Sequence, residues 1–288
     1  MRETRRRRLA VMPTHEPADG QENLKRVRTR HFGNAKEAGI PITGLTSYDQ
    51  HTAEIFDAAG IDFLLVGDSA GNNVLGYETT LPVTIDELIP FARAVAGAAR
   101  HAFVVADLPF GSYESGEDHA LATAVRFMKE TGVHAVKLEG GQRSAAQIRR
   151  IVGAGIPVMA HIGFTPQSEH GLGGHLIQGR GDDAQRLLDD AHAVQDAGAF
   201  AVVLEMVPAD VADHITRALT IPTIGVGAGP HVNGQLLVWT DFAGLGSGRI
   251  PKFVRQYANL RQVLTDAVSA FRADVTSGDY PAEEHCYQ

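Results

Sequence analysis

Four apolar segments of this chain each end on a carboxylate, a pattern that could build a metal-binding or catalytic site. The segments FLLVGD, AFVVAD, AVKLE and AVVLE end at Asp68, Asp107, Glu139 and Glu205. Runs of this kind are typical of parallel strands buried on both faces, where an ionised group is costly unless it is paired or bound to a metal. If the strands are parallel, all four acids lie at one edge of the sheet, where α/β proteins bind their ligands.

Three of these acids, Asp68, Asp107 and Glu139, end the second, third and fourth predicted strands, so their carboxylates can converge. Three hard oxygen ligands favour Mg²⁺ or a similar ion. Such an ion keeps positions open for water or substrate and suits the binding of a small, oxygen-rich anion. The alternative is that the acids cap helices or pair with Arg or Lys at the edge of the sheet.

Lys137 and Glu205 are candidates for the reaction itself. Lys137 lies two residues before Glu139, and alternation along a strand places both side chains on one face. Lys137 could hold a substrate oxygen, form a Schiff base as in an aldolase, or only neutralise the acids. Glu205 ends the sixth predicted strand, two strands beyond the last metal-binding candidate, so it is available as a general base.

Two further side chains and two long connections complete the candidate site. His161, at the end of the fifth predicted strand, could donate to a substrate carboxylate or satisfy a backbone carbonyl. Ser69 could bind a carboxylate or cap a helix. The Gly-rich segments 69–84 and 163–181 exceed ordinary loop lengths, so they are candidate lids, with tolerated surface loops as the alternative.

The elements that must position these residues repeat along the chain. From about residue 40, short apolar runs alternate with amphipathic segments, as in repeated βα units. The predicted strands span residues 42–48, 62–69, 102–108, 134–140, 157–164, 200–206, 222–229 and 236–241. Eight units favour an α/β fold of the closed (β/α)8 TIM barrel type over an open doubly wound sheet. The amphipathic stretch from Phe253 to Gly278 predicts the eighth helix and its continuation.

Charge and composition predict the domain organisation. Residues 1–36 carry ten Lys or Arg against four acids, which leaves 16 bases and 30 acids for the rest. We expect residues 1–28 to be a disordered basic N-terminal extension, a functional basic arm being the alternative, and residues 29–288 to be a single barrel domain. Because that body is acidic, we expect no nucleic-acid partner.

The remaining composition narrows the chemistry and the location. The single cysteine, Cys286, excludes an intramolecular disulfide and a cysteine-based metal cluster. No apolar stretch approaches the length of a membrane span, and the N-terminus lacks the apolar core of a secretory signal. We therefore predict a cytoplasmic location without membrane attachment.

A series of short motifs, in order, resembles one enzyme family. LLVGDS, LPVT, ADLPF, VKLEGG, HIGFTPQS, QGRG, VLEMVP, IGVGAG, IPKF and GDYPAEEH resemble ketopantoate (3-methyl-2-oxobutanoate) hydroxymethyltransferases from about residue 29 to residue 285. The resemblance implies a TIM barrel of the phosphoenolpyruvate/pyruvate group and a homodecamer. It also implies Mg²⁺-dependent transfer of a hydroxymethyl group from 5,10-methylenetetrahydrofolate, the folate co-substrate, to 3-methyl-2-oxobutanoate. The product is 2-dehydropantoate, in the biosynthesis of pantothenate and coenzyme A.

The resemblance also implies residue roles. The metal positions are Asp68, Asp107 and Glu139. The contacts to the 2-oxo acid are Asp68, Ser69, Asp107 and Lys137, with His161 as a further one. Glu205 matches the proton acceptor. Three alternatives stay open: a Mg²⁺-dependent 2-oxo-acid lyase or mutase of the same barrel group, an aldolase forming a Schiff base on Lys137, and a binding-only metabolite sensor.

Overall fold

The computed structural model describes residues 24–248 and 250–287, and these form a closed barrel of eight parallel strands. The strands are β1 (Ile42–Thr46), β2 (Phe63–Val66), β3 (Phe103–Asp107), β4 (Ala135–Glu139), β5 (Val158–Gly163), β6 (Ala201–Glu205), β7 (Thr223–Val226) and β8 (Gly234–Leu237). Each strand pairs with the next in chain order, and β8 pairs with β1 to close the barrel. The predicted (β/α)8 barrel is confirmed. The predicted extension over residues 1–28 lies outside the described residues except for its last five.

The helices alternate with the strands around the barrel except between β7 and β8, which are joined without a helix. They are α1 (Thr29–Ala38), α2 (Gln50–Ala58), α3 (Ile85–Ala98), α4 (Glu117–Thr131), α5 (Ala145–Gly153), α6 (Glu169–Leu172), α7 (Asp183–Asp196), α8 (Ala209–Ala218), α9 (Trp239–Phe242) and α10 (Leu260–Ser277). Capping residues set several of the starts. Thr84 and Glu87 form a reciprocal capping box at the start of α3, and Asp49 accepts the Thr52 N–H at the start of α2.

Alternation along each strand divides the apolar residues between two layers. In β2, Leu64 and Val66 pack outward against the helices, whereas Phe63 and Leu65 pack inside the barrel. Both layers are almost fully buried, which explains why these strands read as continuous apolar runs. The same alternation places every second residue of β4, from Ala135 onward, on the inner face.

The eighth strand differs from the prediction of residues 236–241. It begins two residues earlier, at Gly234, and ends at Leu237. A Cβ on Gly234 would lie 2.5 Å from the Ile42 carbonyl oxygen, so the close approach to β1 needs glycine there. Beyond the strand, the Trp239 N–H donates to the Thr46 side chain rather than to a neighbouring strand, and α9 begins.

Helix α1 closes the amino-terminal end of the barrel. Phe32 is fully buried, and its ring centroid lies 5.9 Å from that of Phe63, 5.4 Å from that of Phe103 and 5.0 Å from that of Phe200. These tilted and edge-to-face contacts are the preferred geometry of aromatic pairs. The carboxyl end of the barrel is thereby left as the open end.

Helix α10 differs from the prediction of an eighth barrel helix. It begins at Leu260 rather than near Phe253, and within residues 260–277 no side chain is buried. Its large apolar residues are exposed: Val263, Leu264, Val268, Phe271 and Val275. The helix therefore presents an apolar face that the described part of the chain does not cover. In the part of the chain that the structure describes, no helix is both long and apolar enough to cross a membrane.

We expect Phe32→Ala to destabilise the barrel by about 3–5 kcal/mol, because it removes a buried ring from a packed aromatic cluster. Thermal unfolding followed by circular dichroism measures the change. Ile55→Ala, at a side chain that is 65% exposed, is the control and should change stability by less than about 0.5 kcal/mol. Equal unfolding temperatures for the two variants would contradict the role of Phe32 in closing the barrel.

Candidate active site

The four strand-ending acids all lie at the carboxyl edge of the barrel. Asp107, Glu139 and Glu205 are the last residues of β3, β4 and β6, and Asp68 follows β2 by two residues. Asp68, Asp107 and Glu139 are nearly inaccessible to solvent, whereas the Glu205 side chain is 20% exposed. The structure therefore has three buried acids on adjacent strands and one more open acid two strands further on.

Lys137 makes a buried ion pair with Asp107. Its Nζ lies 2.6 Å from Asp107 Oδ1, while Asp107 Oδ2 accepts the Asp68 N–H at 3.0 Å. Burial alone would lower the pKa of Lys137, but the carboxylates of Asp107, Glu139 and Asp68 hold it above its usual value. The amine is therefore held as an ammonium among the acids.

The pKa of Asp68 is raised, which indicates that negative charge is concentrated around this carboxylate. Burial, followed by the neighbouring carboxylates of Asp107 and Glu139, raises the pKa of Asp68 to about 8. Lys137 and an amide hydrogen bond from Gln167 act in the opposite direction without cancelling the effect. An added cation would relieve this repulsion, which makes the cluster suited to binding one.

His161 connects the buried acids to Glu205. Its Nδ1 lies 3.5 Å from Glu139 Oε1 and 3.3 Å from Lys137 Nζ, and its Nε2 lies 3.3 Å from Glu205 Oε2. Burial and Lys137 lower the pKa of His161, but the contacts with Glu139 and Glu205 outweigh them and raise it to about 9. The distances exceed those of short hydrogen bonds, so the contacts are mainly electrostatic.

The backbone around Glu205 is tightly constrained. Its carbonyl oxygen accepts the Phe164 N–H at 2.8 Å, and a Cβ on Gly163 would lie 2.3 Å from the same oxygen. Met206 has φ 50°, in the left-handed region that a non-glycine residue rarely adopts. Its N–H donates to Val226 on β7. The neighbouring strands thus hold Glu205 in place, with backbone strain at the next residue.

Ser69 lies beside Asp68 and is oriented by Tyr48, whose hydroxyl is 2.8 Å from Ser69 Oγ. After Ser69 the predicted loop 69–84 begins with a π-helical turn, Gly71–Leu75. Asn73 in this turn donates to the Ser69 carbonyl and accepts from Thr240. Such turns are frequent at functional sites. The second predicted loop, 163–181, contains the short helix Pro166–Ser168 and α6.

Sequence reasoning missed Tyr48, Tyr113 and Gln167. Gln167 is buried and contacts two of the predicted metal ligands, Asp68 and Glu139. Tyr113 donates to the Gln167 side-chain oxygen. All three lie in the connections that follow β1, β3 and β5, where no periodicity marks a side chain as inward-facing. The one available signal was the position of Gln167 inside the long connection 163–181.

The acids fit a divalent ion that is only partly enclosed by protein. Among residues 24–248 and 250–287, no three His, Cys, Asp or Glu side chains are arranged as a ready metal cage. Mg²⁺ does not need one, since it usually takes one or two carboxylates and fills the other positions with water and substrate oxygens. Glu139 Oε1 is buried without a hydrogen bond, and the only partner of Asp107 Oδ1 among these residues is the Lys137 ammonium, with which it forms an ion pair. Such oxygens are suited to a cation.

A cavity of about 270 Å³ adjoins Glu139 at this end of the barrel. Its lining includes Phe110, Tyr113, Arg143 and Gln167, from the loops after β3, β4 and β5. A larger groove of about 590 Å³ lies between α2 and α3, and none of the strand-ending acids lines it. Of the two spaces, only the smaller cavity therefore adjoins one of the strand-ending acids, Glu139.

Comparison with known proteins gives a family match over most of the chain. The family model described as ketopantoate hydroxymethyltransferase matches residues 26–283. A 3-methyl-2-oxobutanoate hydroxymethyltransferase of Leifsonia xyli subsp. xyli is 70% identical, covering 97% of this chain and 100% of its own. The enzyme of the same name from Mycobacterium marinum is 60% identical, covering 94% of this chain and 91% of its own.

Solved structures show the same fold at low sequence identity. A phosphoenolpyruvate phosphomutase from Streptomyces platensis subsp. rosaceus has a TM-score of 0.59 at 18% identity, covering 91% of this chain and 92% of its own. A 2,3-dimethylmalate lyase has a TM-score of 0.57 at 16% identity, covering 90% and 91%. These structures support the barrel alone, whereas the family match and the full-length relatives decide the family. The chain belongs to the ketopantoate hydroxymethyltransferase family.

Proposed function

We propose that this chain transfers a hydroxymethyl group from 5,10-methylenetetrahydrofolate to 3-methyl-2-oxobutanoate, giving 2-dehydropantoate in pantothenate and coenzyme A biosynthesis. One observation carries the proposal beyond the family match. A more open carboxylate, Glu205, faces a cluster of buried acids across His161. A base set beside a cation site is the arrangement that proton removal next to a keto group requires.

Asp68, Asp107 and Glu139 would hold Mg²⁺, which supplies Lewis-acid polarisation of the substrate's keto group. Lys137 and Ser69 bind the substrate carboxylate, and His161 binds it from the side of β5. Two findings support these roles: Lys137 is kept charged by its neighbours, and Ser69 is fixed by Tyr48. The substrate is thereby oriented with its acidic C–H toward β6.

Glu205 takes the proton from the carbon next to the keto group, and the resulting enolate carbon attacks the folate methylene carbon as one of its two C–N bonds breaks. Water then supplies the hydroxyl group as the second C–N bond breaks, and tetrahydrofolate leaves. The constrained backbone supports this role, since Gly163 and β7 leave Glu205 little freedom to move. The loops 69–84 and 163–181 cover the site during the reaction and limit the entry of bulk solvent, while a single water reaches the methylene carbon. Glu205 therefore acts as the base, and the other named side chains bind and orient.

The three alternatives from the sequence are less well supported. A Schiff-base aldolase needs a neutral amine, but the surrounding carboxylates hold the pKa of Lys137 above its usual value, which favours the ammonium. The likeness to lyases and mutases is confined to the fold, since those structures are below 20% identical. A binding-only sensor would have no use for a constrained base beside the acids.

The proposal includes self-association, with a homodecamer as the assembly. Its support is the apolar face of α10, which exposes Leu264, Val268 and Phe271. A contiguous apolar face exposed along a helix of an isolated chain marks a protein interface. A second copy of the chain is the occupant, because closed homo-oligomers are the commonest assemblies. Residues 29–288 act as one catalytic unit in this assembly, and the cytoplasmic location stays part of the proposal.

Glu205→Gln should lower the rate of deuterium exchange from solvent into 3-methyl-2-oxobutanoate by about 10²–10⁴-fold, because the amide cannot accept the proton. Proton NMR of the substrate measures the exchange without folate. Glu117→Gln, which changes an exposed carboxylate in the first turn of α4, is the matched control and should keep the wild-type rate. A wild-type rate of exchange in the Glu205 variant would mean that Glu205 is not the base.

Removal of metal with EDTA should abolish both exchange and hydroxymethyl transfer, and added Mg²⁺ should restore them. The acids Asp68, Asp107 and Glu139 repel one another without the ion and cannot polarise the substrate. Borohydride treatment with substrate should leave Lys137 unmodified, as peptide mass spectrometry would measure. Activity in EDTA together with a reduced adduct on Lys137 would support the aldolase instead.

Val268→Asp should split the assembly into smaller species, because it places a carboxylate in the apolar face of α10. Size-exclusion chromatography with light scattering gives the mass. Ser269→Asp introduces the same charge about 100° around the helix and is the matched control, expected to keep the wild-type mass. A wild-type mass for both variants would mean that α10 does not hold the assembly.

A further inference from the structure

Gln167 is positioned to act on two acids at once. It lies in the short helix Pro166–Ser168 after β5, and its side chain is buried beneath the barrel mouth. Its side-chain amide donates to Asp68 Oδ2 at 2.8 Å, and its backbone N–H donates to Glu139 Oε2 at 3.0 Å. One residue of the connection after β5 therefore contacts both the carboxylate that ends β4 and the one that follows β2.

The orientation of the Gln167 amide is determined by its surroundings. The Tyr113 hydroxyl donates to Gln167 Oε1 at 2.6 Å, and the Leu108 carbonyl accepts from Gln167 Nε2 at 3.0 Å. With the amide reversed, its oxygen would face the Asp68 carboxylate and the Leu108 carbonyl, which are both acceptors. The NH₂ group therefore faces Asp68, and Tyr113 keeps it there.

These contacts use only one oxygen of each acid. Glu139 Oε2 accepts from Gln167, whereas Glu139 Oε1 is buried and makes no hydrogen bond, its nearest cationic neighbour being His161 Nδ1 at 3.5 Å. Asp68 Oδ2 likewise accepts the Gln167 amide. A buried carboxylate oxygen without a donor is costly unless a cation or another donor approaches it. The hydrogen bonds thus leave a specific oxygen of Glu139 available for an ion.

We propose that Gln167, oriented by Tyr113, is a positioning residue that holds Asp68 and Glu139 in the geometry required to bind the divalent cation. The inference rests on the metal role of these acids in the proposed function. Ligand carboxylates are commonly held by hydrogen bonds from a surrounding layer of side chains. The neutral amide suits this task, since a cationic side chain would compete with the ion and a carboxylate would add to the repulsion.

A purely structural role for Gln167 predicts a different result. If it only fixed the loop against the barrel, its loss would lower stability and leave cation affinity unchanged. The test therefore measures Mn²⁺ binding to the purified full-length, metal-free protein by electron paramagnetic resonance, without either substrate. This measurement does not depend on turnover.

Gln167→Leu should raise the Mn²⁺ dissociation constant by about 10- to 100-fold, the usual cost of losing such a supporting hydrogen bond. Tyr113→Phe should raise it several-fold, because the amide is then free to turn. It also serves as the second test if Gln167→Leu does not fold. The double variant should bind no more weakly than Gln167→Leu, since Tyr113 acts through Gln167.

Ser168→Ala is the matched control. Ser168 lies in the same short helix, and its hydroxyl accepts from Arg143 rather than contacting the acids. Its Mn²⁺ affinity should equal that of the wild-type protein, and its unfolding temperature reports any general loosening of the loop. At saturating metal, Gln167→Leu should regain most of the wild-type kcat.

Wild-type Mn²⁺ affinity in Gln167→Leu, or in Tyr113→Phe where the first variant does not fold, would overturn the inference. Equal weakening in Ser168→Ala would also overturn it, since the loop as a whole would then be responsible. Absence of Mn²⁺ binding to the wild-type protein would sink the proposed metal site as well. The wild-type protein could bind Mn²⁺ but fail to transfer a hydroxymethyl group, while only the Gln167 and Tyr113 variants lose Mn²⁺ affinity. That result would support the inference and contradict the proposed function.

Discussion

The burial of several carboxylates at one end of an apolar barrel is the constraint on which the site depends. Asp68, Asp107 and Glu139 are nearly inaccessible to solvent, and their mutual repulsion is visible in the raised pKa of Asp68. Lys137 offsets part of this charge through its ion pair with Asp107. Breaking a buried pair by removing one partner is strongly destabilising, because an uncompensated charge remains. The site is therefore stable only when its cations and acids are present together.

Strand register decides which of these groups meet. Asp107 is the Cα partner of Lys137, Glu139 is the partner of His161, and Gly163 is the partner of Glu205. An acid thus stands next to a cationic side chain across each of the first two strand pairs. At the third pair, Gly163 lets the strands approach closely beside Glu205. A one-residue slip would turn the side chains of a strand to the other face of the sheet. The apolar alternation that fixes the core therefore also fixes the site.

The local sequence pattern was sufficient to predict most of the fold, but not every strand and helix. Buried runs such as FLLV predicted strands well, because burial on both faces leaves a continuous apolar signature. Gly234 and Gln235 carry no such signature, so the start of β8 was missed; its position is set by close packing on β1. Helix α10 has a regular apolar face, but periodicity does not say whether that face meets this barrel or another chain. Gln167 and the left-handed conformation of Met206 depend on tertiary contacts that no local pattern records.

The balance of charge explains why a divalent ion suits this site. The four acids Asp68, Asp107, Glu139 and Glu205 face two cationic groups, Lys137 and His161, once His161 is protonated as its raised pKa favours. With all four acids ionised, the cluster carries a net charge of −2. A divalent cation offsets that charge, whereas protonation of Asp68 offsets only half of it. An anionic ligand would then meet Lys137 and His161 rather than an excess of negative charge. Gln167 contributes hydrogen bonds without altering this balance, which is the property that distinguishes an amide from any charged residue at its position.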